Sequence, residues 1–471
     1  MAARLIEPRA HRCGYTAGMR RAETDTIAAI ATPPGRGAVG ILRLSGPGAA
    51  PIAAKLAGKL PQPRQAALRN FKDADGGRID QGLLLYFSAP HSYTGEDVVE
   101  LQGHGGPVVL DALLHAACAA GARPARPGEF SERAFLNGRL DLAQAEAVAD
   151  LIDASSRSAA RAALHSLQGE FSRRIETLLQ ELIQVRADLE AALDFADEDV
   201  PWITPQTLHD RTAGLVEIAQ DLIKEAAQGR RLREGMTVAI AGQPNVGKST
   251  LLNRLAGTEA AIVSPHAGTT RDLLREHIVA DGLPLTVIDT AGLRETTDPV
   301  EQEGVRRAWA ALEKAELILF LADDRSGITA EDSALLARLP PDIEVLLLLN
   351  KCDLSGRAPG REVDERKRVS LRLSAAAGSG IDLLAVEIRR AAGLNAGGNE
   401  GLFSARARHL EALHQALASL RLARAHGARN ASPELIAEEL RLAQSALDEI
   451  TGRFSSEDLL GQIFSTFCIG K

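Results

Sequence analysis

The stretch that most constrains this chain is MTVAIAGQPNVGKSTLLN, residues 236–253. An apolar run, Val238 to Ala241, leads into the glycine-rich turn 242–249, and residues that favour a helix follow. A strand, a GxxxxGK(S/T) turn and a helix in this order predict a P-loop. Glycines let backbone N–H groups turn toward phosphate oxygens, and the helix N-terminus adds its positive end. Lys248 supplies charge to the outer phosphates, and Ser249 supplies a hydroxyl ligand for Mg²⁺.

Four further elements follow the P-loop in the order of a Ras-like GTPase domain. Thr270 is placed to complete the Mg²⁺ shell and sense the γ-phosphate, and Asp289 begins the DTAG element. Asp353 closes an NKCD element, where a carboxylate accepts two hydrogen bonds from guanine that adenine cannot supply. Specificity for GTP over ATP follows. Ser374–Ala375, after the last strand, fits the loop that covers the base. The predicted GTP-binding residues are Asn245, Val246, Gly247, Lys248, Ser249, Thr250, Ser264, Thr269, Thr270, Asp289, Thr290, Ala291, Gly292, Asn350, Lys351, Asp353, Ser374 and Ala375.

Two residues depart from the usual Ras-type pattern. Leu293 stands directly after DTAG, where Ras-type switches have a glutamine that orients water. Either hydrolysis is feeble or catalytic groups come from elsewhere, and Glu301 and Glu303 are within reach in sequence. The Asn245 amide oxygen can ligate a monovalent cation, in the place where an arginine finger otherwise raises the rate by about 10³–10⁵. The switch loop that could close over that ion contains Ser264, His266 and Thr269.

The length and composition place these motifs in a multidomain protein. A chain of 471 residues is too long for one core, so we expect two to four domains. With 3% aromatic residues and a net charge of −8, the chain does not resemble a protein that grips nucleic acid broadly by itself. The four cysteines lie far apart and no zinc-site spacing occurs, so we expect reduced thiols in a cytoplasmic protein. No apolar run approaches the length of a membrane span.

The segments around the P-loop domain differ in character. Residues 1–23 are arginine-rich, and we expect a disordered extension or a start codon assigned too early; a transit peptide is the alternative. Short β-like runs broken by Gly and Pro predict an α+β domain next. Its GRGAVG segment, residues 35–40, fits GxGxxG, but prolines precede it and a strand-like run follows. We therefore predict a hairpin-type turn there and no dinucleotide site.

Helical patterns flank the P-loop domain on both sides. One stripe before it has spacings of three and four: Ile175, Leu178, Leu182, Val185, Leu189 and Leu193. Two more follow it, at Leu410, Leu413, Leu417 and Leu420 and at Ile436, Leu440, Ala443, Leu447 and Ile450. Since each stripe needs a partner, we predict one helical domain interrupted by the nucleotide domain. The predicted domains are 1–23 (extension), 24–140 (α+β), 141–234 (helical, first part), 235–394 (mostly parallel doubly wound G domain) and 395–471 (helical, second part).

Three segments outside the G domain carry a family resemblance: ATPPGRGAVGILRLSG (31–46), RPGEFSERAFLNGRLDLAQAEAVADLIDA (126–154) and the terminal FCIGK (467–471). With the nucleotide motifs, the chain resembles the MnmE (TrmE) family of bacterial tRNA modification GTPases from Thr24 to Lys471. The resemblance implies a K⁺-dependent GTP hydrolase that forms a homodimer and a larger complex with MnmG, a partner carrying FAD. Together the two proteins add an aminomethyl or carboxymethylaminomethyl group at C5 of U34 in certain tRNAs, which bind mainly through the complex.

The resemblance also implies roles for particular residues. The K⁺ ligands would be Asn245, Ser264, His266 and Thr269, and the Mg²⁺ ligands Ser249 and Thr270. Glu301 would orient the attacking water, and Lys248 would be a further catalytic group. The N-terminal domain would bind 5-formyl-tetrahydrofolate or a related one-carbon carrier through Arg43, Glu100, Arg139 and Lys471. Cys468 is either a reactive group near the one-carbon unit or a small packed thiol.

Two other functions compete with this one. A regulatory or ribosome-assembly GTPase would share the G domain, but it explains neither the terminal FCIGK nor the RPGEFSERAFLNGRLDL segment. It also predicts a basic RNA-binding appendage, which the sequence lacks. A folate-dependent transferase with a vestigial switch conflicts with the complete set of nucleotide elements. The flanking segments therefore favour tRNA modification.

Overall fold

The chain forms two compact units in a computed structural model. The first contains residues up to Asp141 together with those from Ser455 onward, and the second runs from Leu142 to Phe454. The predicted extension, 1–23, lies outside the described residues. The structure describes residues 25–194, 204–257, 275–289, 306, 309–310, 312–364, 368–394, 401–429, 432–453 and 457–470.

The first unit is built on a six-stranded sheet with the order β3-β4-β5-β2-β1-β6. Its strands are β1 (Ile27–Ile30), β2 (Gly37–Ser45), β3 (Ala67–Lys72), β4 (Arg78–Phe87), β5 (Val98–Gly105) and β6 (Arg123–Pro124). Its first three helices are α1 (Ala49–Ala57), α2 (Pro107–Ala119) and α3 (Glu129–Leu136). Alternate residues of β2, Leu42 and Leu44, join the core with α1 and α2, and Arg43 between them is only partly buried. The α+β prediction is confirmed.

The GxGxxG segment lies in a hairpin, as its sequence predicts. Strands β1 and β2 pair antiparallel, with Ile30 opposite Leu42, and residues 31–36 connect them. The segment is therefore followed by an antiparallel strand, whereas a dinucleotide fingerprint requires a helix there. This excludes the dinucleotide interpretation.

The C-terminal segment packs within the first unit, whereas the sequence prediction had joined it to the helical domain. The helix of this segment, α14, spans Glu457–Ser465. The ring of Phe464 lies 6.4 Å from that of Phe135 on α3, and Gly128 N–H donates to the Cys468 carbonyl at 3.4 Å. A capping pattern predicts that a helix begins but does not predict which core its apolar face joins.

The helices of the second unit outside the nucleotide domain pack together, and all of them except α5 contribute buried residues to one core. They are α4 (Leu142–Ile152), α5 (Arg157–Leu167), α6 (Glu170–Asp194), α7 (Pro205–Glu234), α12 (Ala407–Ala428) and α13 (Pro433–Thr451). Every residue of the predicted stripes is buried in this core except Leu193, which is partly buried. Helices before and after the nucleotide domain thus contribute to a single discontinuous helical domain. Among the described helices, none is long and apolar enough to cross a membrane.

The nucleotide domain is a seven-stranded sheet with the order β12-β13-β11-β10-β7-β9-β8. Only the two edge pairs, β12 with β13 and β8 with β9, are antiparallel. The strands are β7 (Met236–Gly242), β8 (Arg275–Ala280), β9 (Leu283–Asp289), β10 (Leu317–Asp323), β11 (Glu344–Asn350), β12 (Gly360–Val363) and β13 (Val369–Arg372). The described helices are α8 (Lys248–Ala256), α9 (Ala330–Leu336), α10 (Cys352–Ser355) and α11 (Ile381–Ala391). A mostly parallel doubly wound sheet is confirmed.

Two details of this sheet differ from the sequence prediction. Strand β12 was not predicted, because a short and mostly exposed edge strand has no apolar alternation to reveal it. The sequence of residues 370–374 predicts a last strand, but the observed strand ends at Arg372, and Ser374 forms an isolated bridge with Ser379. The backbone has turned by Ser374, so this residue begins a loop at the carboxyl edge of the sheet.

The nucleotide domain contacts the helical domain beyond its chain connections. The Ser156 hydroxyl at the start of α5 donates to the Gly282 carbonyl, in the turn between β8 and β9, at 2.7 Å. The Gln228 amide on α7 donates to the Gly393 carbonyl, just after α11, at 3.0 Å. These contacts join the side of the nucleotide domain away from the P-loop to the helical core.

Candidate functional site

The P-loop forms an open cradle at the carboxyl end of β7. Gly247 has φ of 101°, in the left-handed region that favours glycine, and α8 begins at the next residue. A Cβ at Gly247 would collide with the side-chain amide of Asn350. Ser249 and Thr250, in the first turn of α8, are exposed. The turn therefore presents a helix N-terminus and hydroxyl groups to solvent, as a site for phosphate and a metal ion requires.

Lys248 lies over the loop that it belongs to. Its ammonium donates to the carbonyls of Gly242 at 2.9 Å and Gln243 at 3.0 Å. These bonds hold the positive charge at the cradle, where an incoming phosphate group can compete for it. The role of Lys248 toward the outer phosphates stays a prediction.

The NKCD element is joined directly to the P-loop. Asn350, which is 2% exposed, donates to the Val246 carbonyl at 2.7 Å and accepts from the Ala375 N–H at 2.9 Å. Lys351 donates to the Asn245 carbonyl at 2.6 Å. One pair of neighbouring side chains therefore ties the P-loop to the loop at Ser374–Ala375. The sequence had placed these three elements in one site, and the structure brings them together.

The remaining residue that the sequence predicts to contact guanine faces solvent. Asp353, in the first turn of α10, is exposed. Lys351, which precedes that helix, has φ of 69°. This left-handed residue ends β11 abruptly and turns the chain into α10. The Asp353 carboxylate is consequently free to accept hydrogen bonds from a ligand.

Sequence reasoning missed three residues that support the site. Arg254 on α8 donates to the carbonyls of Ala375 at 3.0 Å and Ala376 at 2.5 Å, and so fixes the loop that would cover the base. Asp323, the last residue of β10, accepts from Lys351, and the N–H of Asp324 donates to the Asn350 carbonyl. Their position at the carboxyl edge of a parallel sheet, where ligands of such folds bind, was a signal that could have found them.

Several predicted site residues lie outside the described part of the chain. Strand β9 brings the backbone of Asp289 opposite Ile240, at the same edge of the sheet as the P-loop. The side chain of Asp289 is not described. The predicted residues outside the described ranges are Ser264, His266, Thr269, Thr270, Thr290, Ala291, Gly292, Glu301 and Lys471.

A second polar site lies on the first unit, where Arg43 of β2 faces Glu100 of β5. The two residues are opposite each other in the sheet, and Arg43 Nη2 lies 2.9 Å from Glu100 Oε1. Gln102 donates to the other carboxylate oxygen at 3.2 Å. The guanidinium lies 5.7 Å from the ring centre of Tyr93 and 5.8 Å from that of Phe130. Two aromatic rings therefore lie close to the charged pair. The side chain of Arg43 is 22% exposed and that of Glu100 is 13% exposed.

The other residues predicted for this site are placed less directly. The stem of exposed Arg139 lies near Gly95, and within the described residues no hydrogen bond or ion pair joins it to Arg43 or Glu100. Cys468 is exposed, which is inconsistent with a small packed thiol. Gly470 approaches β1 so closely that a Cβ there would collide with the Ile30 carbonyl oxygen. The C-terminal tail therefore reaches β1, which pairs with β2, the strand that carries Arg43.

A buried ionic network supports the same region. Glu129 is 1% exposed; burial alone would raise its pKa, but hydrogen bonds from Arg123, the Arg126 N–H and Arg133 lower the pKa to about 2. Arg133 also bonds Asp25 at 2.7 Å. The network fixes α3, which carries Phe130 beneath Arg43. No local sequence pattern indicates this network, because its partners lie up to 108 residues apart.

Comparisons with known proteins agree with this architecture. Residues 142–468 match the model of the MnmE helical domain, and residues 26–139 match that of the GTP-binding protein TrmE N-terminus. The tRNA modification GTPase MnmE of Nitrosococcus oceani is 53% identical over 97% of this chain and 99% of its own length. The protein of that name from Thiobacillus denitrificans is 54% identical over 95% and 98%. Among solved structures, Aquifex aeolicus Era bound to GDP.AlF4⁻ is 28% identical over 40% of this chain and 67% of its own, with a TM-score of 0.27.

Proposed function

The chain belongs to the MnmE family of tRNA modification GTPases, and from this membership we propose that it is a K⁺-dependent GTPase acting on the wobble uridine. With an FAD-carrying partner of the MnmG type, it would add an aminomethyl or carboxymethylaminomethyl group to C5 of U34, using a tetrahydrofolate one-carbon unit. The proposal of a nucleotide site rests on Asn350, whose side chain joins the P-loop to the loop at Ser374–Ala375. The alternative, a regulatory or ribosome-assembly GTPase, leaves the matched N-terminal unit without a role.

Guanine recognition is assigned to the exposed carboxylate of Asp353. A carboxylate accepts from the guanine N1–H and 2-amino groups together, and charge-assisted bonds of this kind are about twice as strong as neutral ones. Asn350 and Lys351 hold the loop that carries Asp353, so the carboxylate is positioned before the nucleotide arrives. Lys248 and the backbone N–H groups at the start of α8 would contact the phosphates.

Two metal ions are part of the proposal. Mg²⁺ would be held by Ser249 and Thr270, and K⁺ by Asn245, Ser264, His266 and Thr269. When bound, they supply positive charge against the phosphate oxygens. The described residues fit, because Ser249 and Asn245 are exposed oxygen donors in the cradle. Asn245 also has φ of 63°, so the loop turns sharply there.

GTP turnover is expected to depend on the monovalent cation. In KCl the rate should exceed that in NaCl of equal ionic strength by at least about tenfold, because the ion takes the place of an arginine finger. Single-turnover hydrolysis at fixed Mg²⁺ measures this. Asn245→Ala should lose the difference, whereas Asn253→Ala, an exposed asparagine on α8, should keep it. Equal rates in the two salts for the unmodified chain would refute the cation site.

The folate site is proposed on the first unit at Arg43 and Glu100, with Arg139 and Lys471 as further contacts. Glu100 Oε1 accepts from Arg43 Nε at 3.0 Å and lies 2.9 Å from Arg43 Nη2. Oε2 accepts from Gln102 at 3.2 Å, and its second lone pair can accept an N–H group of a pterin ring. The nearby aromatic rings offer an apolar surface for that ring. The exposed Cys468 is proposed as a reactive group near the one-carbon unit.

Glu100→Ala is expected to weaken binding of 5-formyl-tetrahydrofolate by at least about tenfold, since it removes the acceptor of a charge-assisted hydrogen bond and frees the Arg43 guanidinium. Isothermal titration calorimetry measures the affinity. Asp111→Ala is the matched control, because this carboxylate is 65% exposed on α2. Equal affinity in the unmodified chain and in Glu100→Ala would remove Glu100 from the site.

The assembly is also proposed from family membership. We infer a cytoplasmic homodimer, formed through the N-terminal domain, that joins the MnmG-type partner in a heterotetramer or larger complex. Transfer RNA would bind mainly through that complex. The charge balance of −8 agrees with a chain that leaves most phosphate contacts to its partner.

A further inference from the structure

Asp323, at the end of β10, lies outside every recognised nucleotide motif yet contacts one of them. Its carboxylate accepts from the Lys351 ammonium at 3.0 Å. The same ammonium donates to the Asn245 carbonyl at 2.6 Å. Lys351 thus bridges a carboxylate on one side and the P-loop backbone on the other. The Asp323 side chain is 14% exposed and that of Lys351 is 24% exposed, so the bridge is partly shielded from water.

The P-loop residue at the end of this bridge has an unusual backbone conformation. Asn245 has φ of 63°, and Lys351 has φ of 69°. A left-handed conformation is uncommon for any residue other than glycine and persists where its surroundings hold it. Around Asn245, Lys351 donates to the Asn245 carbonyl and Asn350 donates to the carbonyl of the next residue, Val246. The loop conformation therefore depends on the guanine-recognition element.

The neighbouring carboxylate explains why Asp323 is well positioned. Asp324 is 1% exposed and accepts from Arg372 Nε at 3.0 Å and from the Ser355 hydroxyl. Its own N–H donates to the Asn350 carbonyl at 2.8 Å. The end of β10 is consequently anchored to β13 and to α10. Arg325 binds the outer side of Asp323 and, with Lys351, keeps the pKa of that carboxyl well below its usual value.

We propose that Asp323 is a positioning residue for the nucleotide: by holding the Lys351 ammonium on the Asn245 carbonyl, it locks the P-loop to the guanine-recognition loop. The P-loop and the guanine-recognition loop can then open only together, and this slows release of the bound nucleotide. The inference rests on the proposed guanine-nucleotide site and adds to it a residue that contacts neither the nucleotide nor a metal ion.

Asp323→Asn tests this, because the amide keeps the shape of the side chain and removes its charge. Release of a fluorescent N-methylanthraniloyl GDP from the full chain should become roughly tenfold faster, the effect of losing a charge-assisted hydrogen bond. Asp323→Glu, which retains the charge, should release GDP at a rate much closer to that of the unmodified chain. Arg325→Ala is the matched control: it removes the 54% exposed partner and leaves the Lys351 bond, so the release rate should stay within about twofold of the unmodified chain.

A double-mutant cycle with Lys351→Ala separates positioning from a general effect on the fold. Because both residues act through one bridge, the double variant should release GDP no faster than Lys351→Ala alone. If the double variant released GDP at a rate raised by the product of the two single effects, the proposal would be overturned. An unchanged release rate in Asp323→Asn, or a failure of that variant to fold, would also overturn it. If the unmodified chain bound no labelled GDP, the guanine-nucleotide site itself would be refuted, which is a different result.

Discussion

Glu301→Ala is expected to lower the rate of GTP hydrolysis by a factor of about 10²–10⁴, the usual contribution of a group that orients or deprotonates the nucleophile. The reason lies in the residue after DTAG. Leu293 has no polar atom on its side chain and cannot align water, so another group must do so. Glu301 lies eight residues further along and is the proposed substitute. The affinity for a non-hydrolysable GTP analogue should remain unchanged, because the residue would act on water and not on the nucleotide.

Glu303→Ala provides the control for this variant. It removes the same charge two residues away and should hydrolyse GTP at a rate close to that of the unmodified chain. Rapid-quench measurement of a single turnover separates the chemical step from product release. Normal hydrolysis in Glu301→Ala would make Glu301 an ordinary surface charge. Equal loss in both variants would point to the charge of the segment and not to one catalytic group.

The sequence predicted the nucleotide domain well because its motifs are local. The strand, turn and helix of residues 236–256 are fixed by a buried apolar run, a left-handed glycine and a good helix start, all adjacent in the chain. The sequence predicts strands at 237–241, 275–280, 285–289, 317–321 and 345–350, and each end lies within two residues of the observed β7 to β11. Their carboxyl ends share one edge of the sheet, so residues that follow different strands meet there. Asn350 contacts Val246 for that reason.

Contacts between distant segments could not be predicted in the same way. Arg254 reaches a carbonyl 121 residues away, and nothing beside it in the chain marks it as different from other arginines on helices. Asp323 and Asp324 are two neighbouring carboxylates in a chain with 62 acidic residues. The three-dimensional fold alone shows that one binds Lys351 and the other Ser355.

The folate site shows an intermediate case. Arg43 and Glu100 lie on strands whose alternation could be seen, but their register cannot be obtained without the turn geometry and the intervening strands. The family resemblance named both residues, and the sheet places them opposite each other. The transfer is less direct for Arg139, because among the described residues no hydrogen bond or ion pair joins it to Arg43 or Glu100.

Removing this chain from the cell is expected to abolish the C5 modification of U34 in the tRNAs that carry it. Neither the proposed partner nor the folate carrier can replace a missing GTPase, so the loss should be complete rather than partial. Restoring the unmodified chain should restore the modification. Restoring Glu301→Ala should not, provided that GTP turnover is coupled to the chemistry, and Glu303→Ala should restore it as well as the unmodified chain does.

Mass spectrometry of nucleosides from purified tRNA decides whether this chain takes part in tRNA modification. In cells lacking the chain, the aminomethyl- and carboxymethylaminomethyl-substituted uridines should disappear, while other modified nucleosides remain at their normal amounts. Normal amounts of these substituted uridines, together with a defect in ribosome assembly, would refute the role in modification and favour the regulatory GTPase.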